Sequence, residues 1–227
     1  MPIDYTKRPQ ASGETGAGGQ PGGVSLSKVT LTKAAPTVSL TKHGAAGGVL
    51  RVNLNWTSRA TGGGLLKRRE PDIDLDLGCL YQFTDGRKGV VQALGNGFRV
   101  AVTGASEASI WLDGDDRSGS SSGGENLFVN LAHAASIERL LVFAYIYEGA
   151  PNWAAANGVV TLFPSAGPQI EVRLDEPRAG ARTCAIALLS RTGGDLSVQR
   201  EIRYIDGTQM ALDQAYGWGI RWSTGHK

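Results

Sequence analysis

Cysteine is scarce: Cys79 and Cys184 stand far apart in apolar runs, which excludes a CxxC-type redox or metal motif. In such settings two reduced core thiols are expected. Histidine is limited to His43, His133 and His226, none at a ligand-pair spacing, so zinc is disfavoured. Neither sign of charge prevails: 23 Lys and Arg stand against 21 Asp and Glu, too even to generate a field for non-specific nucleic-acid binding. No nucleic-acid partner is expected. Long hydrophobic runs are missing too. The most apolar stretch, Leu140 to Ile146, has the length of a strand, far short of the roughly 20 residues of a membrane helix. No apolar core follows Lys7 and Arg8 as it would in a secretion signal, so a cytoplasmic location is expected. Phosphate-cradling loops and nucleophile elbows are also lacking, and an enzyme is not expected.

What the chain has in quantity is glycine, 32 residues, and short alternating runs. Leu50, Val52, Leu54 and Trp56 alternate with Arg51, Asn53 and Asn55, the period-two pattern of a half-buried strand. The same texture marks Val24 to Ser27, Val38 to Thr41, Ile170 to Leu174, Val198 to Tyr204 and Trp218 to Trp222. Turn signals separate such runs: Asp85-Gly86, Asn96-Gly97, Asn157-Gly158, Gly193-Gly194 and Asp206-Gly207. Many short strands with few helical windows predict an all-β fold, a sandwich or a barrel. Thr208 to Tyr216 is expected as a short helix, and Ser136 to Leu140 as a helical turn leading into a strand. Residues 1–23 are too poor in apolar side chains to offset their ordering entropy and read as a flexible tail. Residues 24–227 read as one folded domain.

Two acidic segments carry the chemistry. In Asp72-Ile73-Asp74-Leu75-Asp76-Leu77, period two sets the three carboxylates on one face of a strand and the apolar residues on the other. Carboxylates that close repel one another unless water, a basic side chain or a cation neutralises them. Further on, Asp113, Asp115 and Asp116 open a Ser/Gly-rich loop that Glu125 closes. Calcium takes six to eight oxygen ligands in irregular geometry, which two such segments meeting at one end of a sandwich would supply. The loop is no EF-hand, because Ser118 stands at the sixth position, where the sharp turn requires glycine. A Ser/Gly loop whose acids serve solubility is the alternative. The basic run Lys67-Arg68-Arg69 reads as a solvated turn or a contact for anionic lipid.

Ser25 to Lys28, Val52 to Trp56, Asp72 to Leu77, Asp113 to Asp116 and Trp218 to Trp222 follow the order of motifs in the TerD-domain tellurium-resistance family, which the chain resembles from about Val24 onward. Asp76 to Leu80, Val91 to Gly95 and Phe143 to Gly149 are most similar to its TerA-type branch. The resemblance implies a two-sheet sandwich that binds Ca2+ at one end, in bacterial tellurium-resistance and stress-response systems. It also implies protein partners within a resistance complex, at the membrane surface in one version. By position, Asp72 and Asp74 match the first acidic pair of the calcium motif, Asp115 and Asp116 its Gly-Asp-Asn segment, and Glu125 the end of its second acidic run. That run here is Ser120 to Glu125, with several carboxylates removed, so one ion is expected in place of the two that the resemblance alone implies.

Overall fold

The computed structural model describes residues 28–57, 73–113, 123–149, 151–178 and 180–222. The expected tail over 1–23, the strand at Val24 to Ser27 and the basic run Lys67 to Arg69 lie outside these residues.

Among the described residues there are thirteen strands. The first six are β1 (Lys28–Thr30), β2 (Thr37–Ser39), β3 (Val49–Asn55), β4 (Asp74–Phe83), β5 (Lys88–Gln92) and β6 (Arg99–Val100). Next come β7 (Ile110–Leu112), β8 (Glu125–Asn130), β9 (Ile137–Glu148) and β10 (Gly158–Phe163). The last are β11 (Gln169–Leu174), β12 (Thr183–Thr192) and β13 (Asp195–Ile205). One sheet runs β1-β11-β10-β3-β8-β7-β6, the other β2-β13-β12-β9-β4-β5. Pairing is antiparallel except between β1 and β11, which run parallel.

The alternation does what period two demands. Leu50, Val52 and Leu54 of β3, Leu75, Leu77 and Cys79 of β4 and Leu127 and Val129 of β8 all enter one apolar core between the sheets. The other face of the second sheet is covered as well. Helix α1 (Trp153–Ala156) fills a β9–β10 connection, whereas α2 (Gln209–Tyr216) lies on that outer face. Leu80, Leu141, Phe143, Tyr145 and Ala185 meet Leu212 and Trp218 there in a second cluster. Strands covered on both faces explain why β4 is buried along most of its length and why Leu140 to Ile146 of β9 is apolar without a break.

Three expectations need adjusting. Trp218 to Trp222 is not a strand; it is irregular chain following α2, and its apolar residues pack onto the second cluster. Both carboxylate oxygens of Asp213, which is buried, hold it: Oδ1 accepts from Gly219 N at 2.5 Å, Oδ2 from Ile220 N at 3.0 Å and Trp222 Nε1 at 2.6 Å. Local hydrogen bonds to one side chain thus replace a ladder, which an alternation pattern does not reveal. The helical turn before β9 is a 3-10 turn over Leu131–Ser136, slightly earlier than expected. Asn96-Gly97 marks a turn, but the left-handed residue is Gly95.

The tryptophans act as anchors, as their strand-like settings suggest. Trp56 Nε1 donates to Ile73 O at 3.0 Å, Trp153 Nε1 to Ala181 O at 2.7 Å and Trp218 Nε1 to Tyr81 O at 2.9 Å. Cys79 and Cys184 are free and buried, and burial pushes both thiols up. They occupy β4 and β12, on either side of β9. Strands two apart are separated by about 10 Å, beyond the roughly 7 Å a disulfide can span. No helix among the described residues is long and apolar enough to cross a membrane.

Candidate metal-binding corner

β4 outruns its edge neighbour. Its ladder to β5 begins at Gly78, and among the described strands Asp74 to Leu77 pair with β9. β8 of the opposite sheet meets β4 at this end through its first residue. Glu125 Oε2 accepts the Leu77 backbone N–H at 2.6 Å, a buried bond between the two sheets. An unmatched buried N–H costs free energy, so a carboxylate that meets it joins the sandwich at this end.

Both strands that make that bond carry carboxylates. Asp74, Asp76 and Glu125 are all buried, with Asp76 wholly so. The expected division of faces holds for β4: Ile73, Leu75 and Leu77 enter the core, while Asp74 and Asp76 do not. What the sequence did not reveal is the burial. A ladder irregularity between Asp74 and Leu75 opens the β4–β9 register just here, with Asp74 opposite Glu148, the exposed end of β9. Tyr145, paired with Asp76, carries a phenol pushed far up, first by burial and then by the charge of Asp76, with Glu125 adding to it. The hydroxyl lies beside Asp76 without a well-aligned hydrogen bond. Its shift places both carboxylates within electrostatic reach of one point.

Asp113 follows β7 at the last described residue before 114–122 and is joined to the start of β8. It faces outward with Trp111, and Asn126 binds it from β8. Asn126 Nδ2 donates to Asp113 Oδ2 at 2.8 Å and Asn126 N to Oδ1 at 3.3 Å, and Asp113 N donates to Asn126 O at 3.2 Å. Asn53 Nδ2 adds bonds to Gly123 O at 2.5 Å and Asn126 Oδ1 at 2.9 Å, and Arg51 Nη1 reaches the same Oδ1 at 3.1 Å. Gly124, at φ +61°, has no room for a side chain: a Cβ would overlap the Leu54 carbonyl oxygen. Gly123 and Gly124 thus enter β8 through a tightly specified turn that sets Glu125 inward and Asn126 outward.

Of the sequence-derived set, Asp74 begins β4, Glu125 begins β8 and Asp113 follows β7, while Asp72, Asp115 and Asp116 lie outside the described residues. Asp76 and Tyr145 were missed as members. The period-two triplet was the signal for Asp76; Tyr145 had none, because its placement depends on the β4–β9 register. Among the described residues, no three His, Cys, Asp or Glu side chains form a group that could hold a metal by themselves. The donor set is oxygen only, which suits a hard cation and not zinc. His133 has a different role, its Nδ1 lying 2.8 Å from the hydroxyl of buried Ser109, itself an acceptor for Val102 N.

Fold and corner together define a β-sandwich domain with an acidic end. Over 71% of its length the chain matches a solved protein of unknown function, at 15% identity and a TM-score of 0.52, covering 92% of that chain. It matches a homologue of telluride resistance protein TerD from Streptomyces coelicolor at 20% identity and a TM-score of 0.52, over 72% of this chain and 94% of that one. No family model matches. In sequence it is 44% identical over 207 residues to tellurium resistance protein TerA of Alcaligenes, covering 90% of this chain and 60% of that protein. The chain is thus similar in sequence to a TerA protein and in fold to a TerD homologue. It spans 60% of the length of the curated relative it matches.

Proposed function

We propose that this chain is a non-enzymatic calcium-binding domain of a bacterial tellurium-resistance and stress-response system, acting as an interaction module. The observation that supports this is that the two strands joined by the Leu77–Glu125 bond both carry buried carboxylates, Asp74 and Asp76 on β4 and Glu125 on β8, and that a Ser/Gly-rich stretch of sequence precedes Glu125. In this reading Asp74, Asp76 and Glu125 hold the ion together with Asp72, Asp115 and Asp116, while Asp113 stays bonded to Asn126. A bound calcium supplies positive charge that offsets the repulsion among the acids. The loop between Asp113 and Glu125 is then ordered into a surface for other proteins of the resistance system.

Calorimetric titration of chelator-stripped protein with calcium tests the reading. Saturable binding is expected, lost in both Asp74→Ala and Asp115→Ala, with protection of the 114–122 loop from protease on calcium addition. No binding heat and equal cleavage with and without calcium would sink it.

A further inference from the structure

A second site lies on the far side of β4 from the core, where α2 and the C-terminal segment overhang the edge strand β5. A pocket of about 710 Å³ opens there, within the range of small-molecule sites. Its wall contains two amide side chains that are almost wholly buried, Gln92 at 6% exposure and Gln209 at 5%. Among the described residues, Gln92 Oε1 and Gln209 Nε2 have no hydrogen-bond partner. Leaving a buried acceptor and a buried donor unmatched is costly, and pockets that do so are commonly built to meet a ligand's polar edge.

The rest of the wall narrows the chemistry. Its charged side chains are both cationic, Lys88 and Arg221. Lys88 is tethered at the rim, its ammonium donating to Trp218 O at 2.6 Å. Thr208, which precedes α2, also lines the pocket and makes no side-chain cap, so the positive end of this eight-residue helix adds to the field. Trp222 presents a half-buried ring whose position is fixed by its bond to Asp213, and exposed Met210 forms part of the opposite lip.

We infer that this pocket binds a nucleoside phosphate, a base stacking on Trp222 with its donor–acceptor edge on Gln92 and Gln209, and the phosphate at Lys88 and Arg221. A buried acceptor and a buried donor in the lining of one pocket suit the donor–acceptor edge of a nucleobase, which amide side chains pair with elsewhere. An indole face accepts any base by stacking. Cations and an uncapped helix start serve the phosphate. The site uses none of the corner's carboxylates and stands apart from the calcium reading.

The experiment is calorimetry of the full chain in chelator with ADP, GDP, CDP and UDP, and with adenosine and pyrophosphate as separate arms. At least one diphosphate should bind at a single site, more tightly than adenosine or pyrophosphate. Gln92→Leu and Gln209→Leu should each weaken it by about tenfold, the size of one lost hydrogen bond to a buried group, while Glu125→Gln leaves it unchanged. Should the leucine variants fail to fold, Met210→Trp, at an exposed lip position, should block binding in a folded protein. Binding to none of the four diphosphates overturns the inference. So does pyrophosphate binding as tightly as the diphosphates, or binding that survives in Met210→Trp and the leucine variants.

Discussion

Glu125, the first residue of β8 in one sheet, takes the backbone N–H of Leu77 from β4 in the other at 2.6 Å. One side chain thereby satisfies a backbone donor of β4 beyond its ladder to β5 and ties the sheets at the acidic end.

Removing that acceptor should be costly. Glu125→Ala leaves the Leu77 N–H unmatched in a dry interior and is expected to lose about 2–3 kcal/mol. Glu125→Gln keeps an oxygen at the same reach and should lose less than half as much. Urea unfolding in chelator separates the two, and equal losses would mean that the bond is not what holds this end.

Gly124 and Gly86 make a matched pair. Both have positive φ, +61° and +84°, but only Gly124 faces a backbone oxygen where a Cβ would stand; around Gly86 there is open space. Gly86→Ala should cost about 1 kcal/mol from backbone conformation alone. Gly124→Ala must also shift the β3–β8 pairing and should cost more than about 2 kcal/mol. Thermal midpoints of the two variants test the ranking.

Asp213→Ala should free the segment after α2, because one carboxylate accepts from Gly219, Ile220 and Trp222. A loss of about 3 kcal/mol is expected. Early proteolysis near Gly217 and a red-shifted tryptophan emission would accompany it, since Trp218 and Trp222 pack where the segment docks. Asp213→Asn should fall between, keeping one acceptor oxygen. An unchanged emission spectrum in Asp213→Ala would contradict this role.

Acid should loosen the parallel edge strand through Glu171. The Lys28 ammonium, bonded to it at 2.6 Å, is the main cause holding its carboxyl below the usual value of 4.5, with Arg173 adding to the effect against some burial. A carboxyl with a depressed folded-state pKa stabilises the native state fully above its unfolded value. That contribution is lost as pH falls through the folded value. The stability difference between wild type and Glu171→Gln should therefore be constant above about pH 5 and shrink below 4.5. A difference that persists at pH 3 would show that the pair contributes little.

Much of the fold was legible because each strand writes its burial locally. Leu50 to Trp56, Ile170 to Leu174 and Leu140 to Ile146 became β3, β11 and the middle of β9, and Thr208 to Tyr216 became α2. Trp218 to Trp222 misled for a physical reason: alternating tryptophan and isoleucine satisfy the same pattern whether a ladder or one buried aspartate holds the chain. The acidic corner was half legible. Asp74, Asp76 and Glu125 stood out as acids in strand and loop contexts, but nothing local shows that Asp76 is buried, that Tyr145 stands beside it or that Asp113 turns outward.

By itself, the sequence determined the strand periodicity, the sandwich class, the acidic segments and the family resemblance, because these depend on side-chain order along short stretches and on motifs in a fixed succession. Only the tertiary structure decided which acids are buried, through the register of β4 on β9 and the bond from Leu77 N to Glu125 on β8. It alone set Gln92 and Gln209, more than a hundred residues apart, in one pocket wall. Register and sheet-to-sheet contact arise from pairings between distant segments, and a local pattern carries no record of them.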